Sequence, residues 1–170
     1  MIRVSRITLA LILAAGAASA DAADLSVNVE IPNLPVAEYH RPYVAIWVEG
    51  ADQAIAAILA VWYQLRGDHT KWLPDLRQWW RRGGRDLKVP VDGLTGATRP
   101  VGQHLLKFDA AAAPLAKLPP GQYALVVEAV REVGGREAVR IPFEWPIRKA
   151  QQGAASGQKE LGKVALSLNP

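Results

Sequence analysis

Between Asp92 and Thr98 the chain reads Asp-Gly-Leu-Thr-Gly-Ala-Thr, so two threonine hydroxyls, Thr95 and Thr98, stand among the small residues Gly93, Gly96 and Ala97. A β-hydroxyl can take a phosphoryl group when its oxygen is held in line with the attacked phosphorus, and the surrounding protein contributes mainly positioning and charge neutralisation. An acceptor that must enter another protein's active site also needs small neighbours and a backbone able to take up turn dihedrals. Gly96 and Ala97 permit both. The plainer reading of the same residues is an Asp-Gly turn followed by a small-residue stretch.

The run resembles the Asp-x-x-(Ser/Thr)-Gly-Ala-(Thr/Ser) motif on which periplasmic flavin transferases of the ApbE type esterify FMN phosphate. Carried over position by position, the resemblance makes Thr98 the acceptor and Asp92, Thr95, Gly96 and Ala97 the rest of the motif. It implies FMN held as a covalent phosphoester and an ApbE-type transferase as partner.

Residues on either side of the motif could serve such a group. Arg77, Arg81, Arg82, Arg85, Lys88 and Arg99 form a basic cluster able to pair with a phosphate ester, with Arg99 adjacent to the acceptor. An ordinary solvated basic face is the alternative. The chain has six tryptophans, and a flavin ring could stack on one of them. Trp47 and Trp62 lie in strand patterns and read as core. Trp79 and Trp80 are neighbours on a short helix and cannot both face inward, so one of them is the better flavin contact. His40, His69 and His104 share no metal-ligand spacing and read as structural. Neither a phosphate-binding glycine loop nor a nucleophile elbow is present, so the chain is not expected to be an enzyme in its own right.

The elements that must position these groups are mostly strands. Leu25, Val27, Val29 and Ile31 alternate with polar residues, the period of a half-buried strand. Tyr43 to Glu49 and Ile55 to Gln64 predict a hairpin turned at Gly50-Ala51-Asp52. Gly102 to Asp109, Gly121 to Glu132 and Glu137 to Trp145 are further strands, the last two a hairpin whose second arm, carrying Pro142 and Pro146, belongs at a sheet edge or a bulge. Gln151 to Gln158 is polar with two glycines and reads as a flexible linker, within a flexible stretch near 150–159, before a short strand at Val164 to Leu168. Trp72 to Gly84 reads as one helix with Pro74 and Asp75 in its first turn and Gly83 as its cap. The sum is a mainly β fold, an antiparallel immunoglobulin-like β-sandwich with one short helix.

Composition and the first residues bound the rest. Arg3 and Arg6, an apolar run from Ile7 to Ala15, and Ala18-Ser19-Ala20 fit a secretory signal peptide over residues 1–20, leaving one domain at 21–170 exported to the periplasm. Loss of the two arginines lowers the formal charge from +4 to 4 − 2 = +2, too little to argue for nucleic acid. No later run is long and apolar enough to span a membrane. The chain has no cysteine, which removes disulfides, thiolate metal sites and thiol redox chemistry, so any redox role needs a borrowed cofactor.

Over most of the mature chain the order of Val-Ala-Ile-Trp-Val-Glu, Lys-Trp-Leu-Pro-Asp-Leu, the threonine motif followed by Arg-Pro-Val-Gly, and Pro-Pro-Gly-Gln-Tyr is similar to a family of predicted periplasmic proteins, the domain of unknown function 2271. The resemblance implies extracytosolic electron transfer through FMN, alongside a flavin transferase and a PepSY-type membrane reductase. A non-redox immunoglobulin-like binding or assembly module is the alternative, since a sandwich fold accommodates either.

Overall fold

The computed structural model describes residues 23–170; the expected signal peptide at 1–20 lies outside the described residues. Nine strands run in order: β1 (Asp24–Ile31), β2 (Tyr43–Glu49), β3 (Ile55–Tyr63), β4 (Thr95–Ala97), β5 (Gly102–Asp109), β6 (Gly121–Val130), β7 (Arg136–Trp145), β8 (Gln151–Ser156) and β9 (Lys163–Asn169). They form a four-stranded sheet ordered β5-β1-β9-β8 and a five-stranded sheet ordered β4-β3-β2-β6-β7. The expected mainly β, two-sheet sandwich is therefore what the chain forms.

Side-chain periodicity explains which strands lie where. In β1 buried and half-buried positions alternate along its whole length, so Leu25, Val27, Val29 and Ile31 reach the inter-sheet core while Ser26, Asn28 and Glu30 face outward. β2 and β3 are apolar at both parities because both of their faces are covered. Val44, Ile46, Leu59 and Trp62 join the core between the sheets. Ala45, Trp47, Val61 and Tyr63, with Val126 of β6, form a second cluster on the sheet's outer face. β7 is an edge strand, as Pro142 requires.

Three short helical pieces cover that outer face. The sequence reads one helix from Trp72 to Gly84; the chain instead makes a 3-10 turn at Thr70–Asp75, an α-helix, α1, at Arg77–Arg82, and a second 3-10 turn at Gly84–Asp86. Pro74 falls inside the first of these, and Gly83 terminates α1 as expected. Leu73, Leu76 and Trp79 point down into the outer cluster.

Two buried carboxylates fasten α1 to the sheet. Its N-cap residue, Leu76, offers no capping side chain, and Glu128 of β6 takes that role. The Gln78 and Trp79 amides donate to its carboxylate at 3.1 and 2.9 Å, and Arg136 Nη1 lies 3.2 Å away. At the other end Arg82 pairs with the buried Glu49 of β2, which Arg140 also reaches at 2.6 Å. A carboxylate at the first turn and an arginine at the last also suit the helix dipole.

The stretch read as a linker is a strand. Gln151–Ser156 pairs along its full length with β9, and the glycine that suggested looseness is needed for packing, since a Cβ at Gly153 would collide with Ile141 of β7. Glu137 fixes the turn that follows: one carboxylate oxygen accepts from the Gln158 amide at 2.6 Å, the other from the amides of Lys159, Glu160 and Leu161 at 2.9 to 3.0 Å. Burial raises the pKa of Glu137, but the four backbone donors outweigh it and hold the carboxyl below the usual glutamate value. With a folded-state pKa under the unfolded value of about 4.3, the unfolded chain binds the proton more readily, so this contribution is full above that value and is lost as pH falls through the folded pKa. Glu137→Gln is therefore expected to lower the melting temperature at pH 7 and to flatten its decline between pH 5 and 3, roughly the window of that titration, as read by thermal melts across the series. A parallel decline in both proteins would remove Glu137 from the acid response.

Candidate functional site

The threonine motif is built into the edge of the five-stranded sheet. Asp92 is exposed and Gly93 takes a φ of +76°, a conformation suited to glycine. The turn closes when the Leu94 and Thr95 amides donate to Val91 O at 3.1 and 2.9 Å. Thr95 locks it: its hydroxyl donates to Val91 O at 2.9 Å and accepts from Val91 N at 3.0 Å. The chain then runs as β4, parallel to β3, with Thr95, Gly96 and Ala97 opposite Val61, Trp62 and Tyr63. The antiparallel expectation thus has one exception, a three-residue edge strand not read from the sequence.

Thr98 follows directly. It is half-buried and lines a cleft of about 920 Å³, a size typical of small-molecule sites. Among the described residues no hydrogen bond engages the Thr98 hydroxyl, in contrast to that of Thr95. The two hydroxyls of the motif therefore differ in kind, one structural and one free.

The cleft's other walls come from remote segments. The Tyr39 to Tyr43 stretch and the turn after β6, from Arg131 to Arg136, form one side; Trp72, Asp75 and Arg77 of the helical segment form another. Trp72 is 45% exposed although Leu73 beside it is buried. Tyr43 donates its hydroxyl to His69 O at 3.3 Å. Arg131 is buried in a two-pronged pair with Glu160, Nε to Oε2 at 2.9 Å and Nη2 to Oε1 at 3.2 Å. Its remaining nitrogen, Nη1, and the hydroxyl of Tyr39 are both buried without a hydrogen-bond partner. Burial raises the Tyr39 pKa, against an opposing pull from Arg131, so the phenol stays a proton donor at neutral pH.

Several residues singled out in the sequence lie elsewhere. Trp79 is fully buried in the outer cluster, and Trp80 packs beside it at 6.1 Å between ring centroids; neither lines the cleft. Trp79 is thus corrected from cofactor contact to core, because the Glu128 cap fixes the rotation of α1 and turns Trp79 inward. Arg99 does not line the cleft either, its guanidinium sitting 5.3 Å over the Trp62 ring. Of the basic cluster only Arg77 reaches the cleft wall. Trp47 and Trp62 are core, as expected. The sequence does not single out Tyr39, Tyr43 or Arg131, and offers Trp72 only as one of six tryptophans on which a flavin could stack.

A family model described as Predicted periplasmic protein (DUF2271) matches residues 24–163, nearly the whole described chain. The chain belongs to that family. Its location is periplasmic, in keeping with the export expected from its first residues. Among the described residues no helix is long and apolar enough to cross a membrane. No curated protein and no solved structure matches the chain.

Proposed function

We propose that this family member is a periplasmic electron carrier whose FMN is joined through its phosphate to Thr98. The observation that carries the reading is the free threonine at the rim of a ligand-sized cleft, one residue beyond a rigid strand. In the attachment step the Thr98 oxygen bonds to the FMN phosphorus of FAD, the pyrophosphate bond breaks, AMP leaves, and the hydroxyl proton passes to a base of the transferase. The chain is thus the substrate of an ApbE-type transferase and needs no catalytic residue of its own.

The surroundings of Thr98 fit such a group. Trp72 and Tyr43 offer aromatic surface, and the unpartnered Tyr39 hydroxyl and Arg131 Nη1 offer donors. FMN supplies reversible electron uptake, which a cysteine-free chain lacks; electrons would arrive from a donor such as a PepSY-type membrane reductase and leave to a soluble acceptor. Tethering suits the compartment, since a dissociating cofactor would be lost by diffusion and a covalent one keeps a high effective concentration.

Co-expression with an ApbE-type transferase, FAD and magnesium is expected to give a yellow protein heavier by one FMN less water. An unchanged intact mass would overturn the reading. The competing one, a non-redox binding module, predicts a colourless protein when the chain is purified from its native periplasm.

A further inference from the structure

We infer that the cleft beside Thr98 is a built seat for a planar aromatic ligand with a hydrogen-bond-accepting edge and, resting on the attachment proposed above, that this ligand is the isoalloxazine ring of the tethered FMN. The first support is Trp72. Its indole is displayed at the cleft while Leu73 and Leu76, which follow it in the chain, are buried in the outer cluster, so the ring is carried on anchored backbone. An exposed aromatic fixed in a concave wall is a stacking surface, and Tyr43 adds a second ring in the same cleft.

The second support is independent of the first. A buried donor without an acceptor costs about 1–3 kcal/mol, and two such donors, Tyr39 Oη and Arg131 Nη1, belong to residues of the same cleft. Glu160 grips Arg131 through its other two nitrogens, and the Gly135 amide donates to the same carboxylate at 2.6 Å, so Arg131 cannot swing away to find water. Both atoms are closed to solvent in the free protein, so a small opening of the wall that exposes them would gain hydrogen bonds to the two carbonyls of a flavin's pyrimidine edge.

The charges facing the cleft narrow the ligand further. Arg41 and Arg77 make no ion pair among the described residues and Arg136 is tied to Glu128, while Asp75 and Glu132 bring negative charge to the same walls and His40 lies between Glu38 and Glu132. This near-balance suits a neutral ring better than a polyphosphate. The ring, not the phosphate, should therefore dominate recognition.

The test uses Thr98→Ala protein, which cannot be esterified, titrated with free FMN and separately with riboflavin. Saturable quenching of flavin emission is expected for both, with similar affinity. Adding Trp72→Ala should weaken binding about tenfold, equivalent to about 1.4 kcal/mol. Adding Tyr39→Phe should weaken it about fivefold while leaving the melting temperature unchanged or higher, because it deletes a donor that is unsatisfied in the free protein. A purely structural tyrosine would not behave so. No saturable quenching up to millimolar flavin, or unaltered affinity in both variants, would overturn the seat. Because Thr98 is already gone, that failure condemns the cleft alone, whereas an unlabelled wild-type chain condemns the attachment alone.

Discussion

Replacing Thr98 with alanine is expected to abolish covalent flavin, Thr98→Ser to retain it, and Thr95→Ala only to reduce it. The asymmetry follows from the different situations of the two hydroxyls. Thr95 spends its donor and its acceptor on Val91, closing the turn that delivers β4 to the edge of β3. Losing those two bonds, worth about 1 kcal/mol each, loosens the turn and lowers the fraction of molecules presenting the acceptor correctly. Thr98 has no such structural duty, so its removal should leave the melting temperature nearly unchanged while deleting the only oxygen that the proposed chemistry uses. Intact mass and in-gel flavin fluorescence after co-expression with the transferase read the result. Labelling of Thr98→Ala at the wild-type level would move the attachment elsewhere and remove the argument from the cleft.

Much of the sandwich could be read along the chain because burial leaves a local signature when each strand faces one core. The alternation in β1 and Pro142 of β7 fixed the face of one and the edge position of the other. β8 escaped because its signature is the reverse: small residues are required where Gly153 passes Ile141, and small residues look like a linker when the neighbour across the sandwich is unknown. β4 escaped because three small residues carry no periodicity. The cleft was illegible for a different reason. Its walls come from segments around residues 39–43, 72–77, 98 and 131–136, which are joined only by topology. The sequence favours Trp79 or Trp80 over Trp72 as the flavin contact, and it is the cap from Glu128, fifty residues downstream of Gln78, that holds Trp79 in the core, while Trp72 in the preceding turn stays exposed.

That cap makes Glu128→Ala a costly substitution, expected to remove about 3 kcal/mol of stability. The carboxylate is fully buried on the outer face of β6 and satisfies two amides of α1 that have no other acceptor; hydrogen bonds to a charged acceptor contribute roughly 1.5–3 kcal/mol each, and stranded buried donors add a penalty that partial solvent access reduces. Glu128→Gln keeps the shape and one acceptor but loses the charge at the helix start and the pairing with Arg136, so it should cost about half as much. The damage should also be regional. α1 and the preceding turn carry Leu73, Leu76 and Trp79 into the outer cluster and hold Trp72 and Arg77 at the cleft, so amide exchange should rise first across 70–86 while β1, β5 and β9 on the opposite sheet stay protected. Flavin binding should weaken in step with that local opening, because the stacking wall and the cap are parts of one rigid piece. Urea midpoints, amide exchange and FMN titration on the same two variants test the chain of cause. Equal protection across 70–86 in Glu128→Ala and wild type would mean that the outer cluster alone holds the helix, and that the buried carboxylate serves only to offset Arg136.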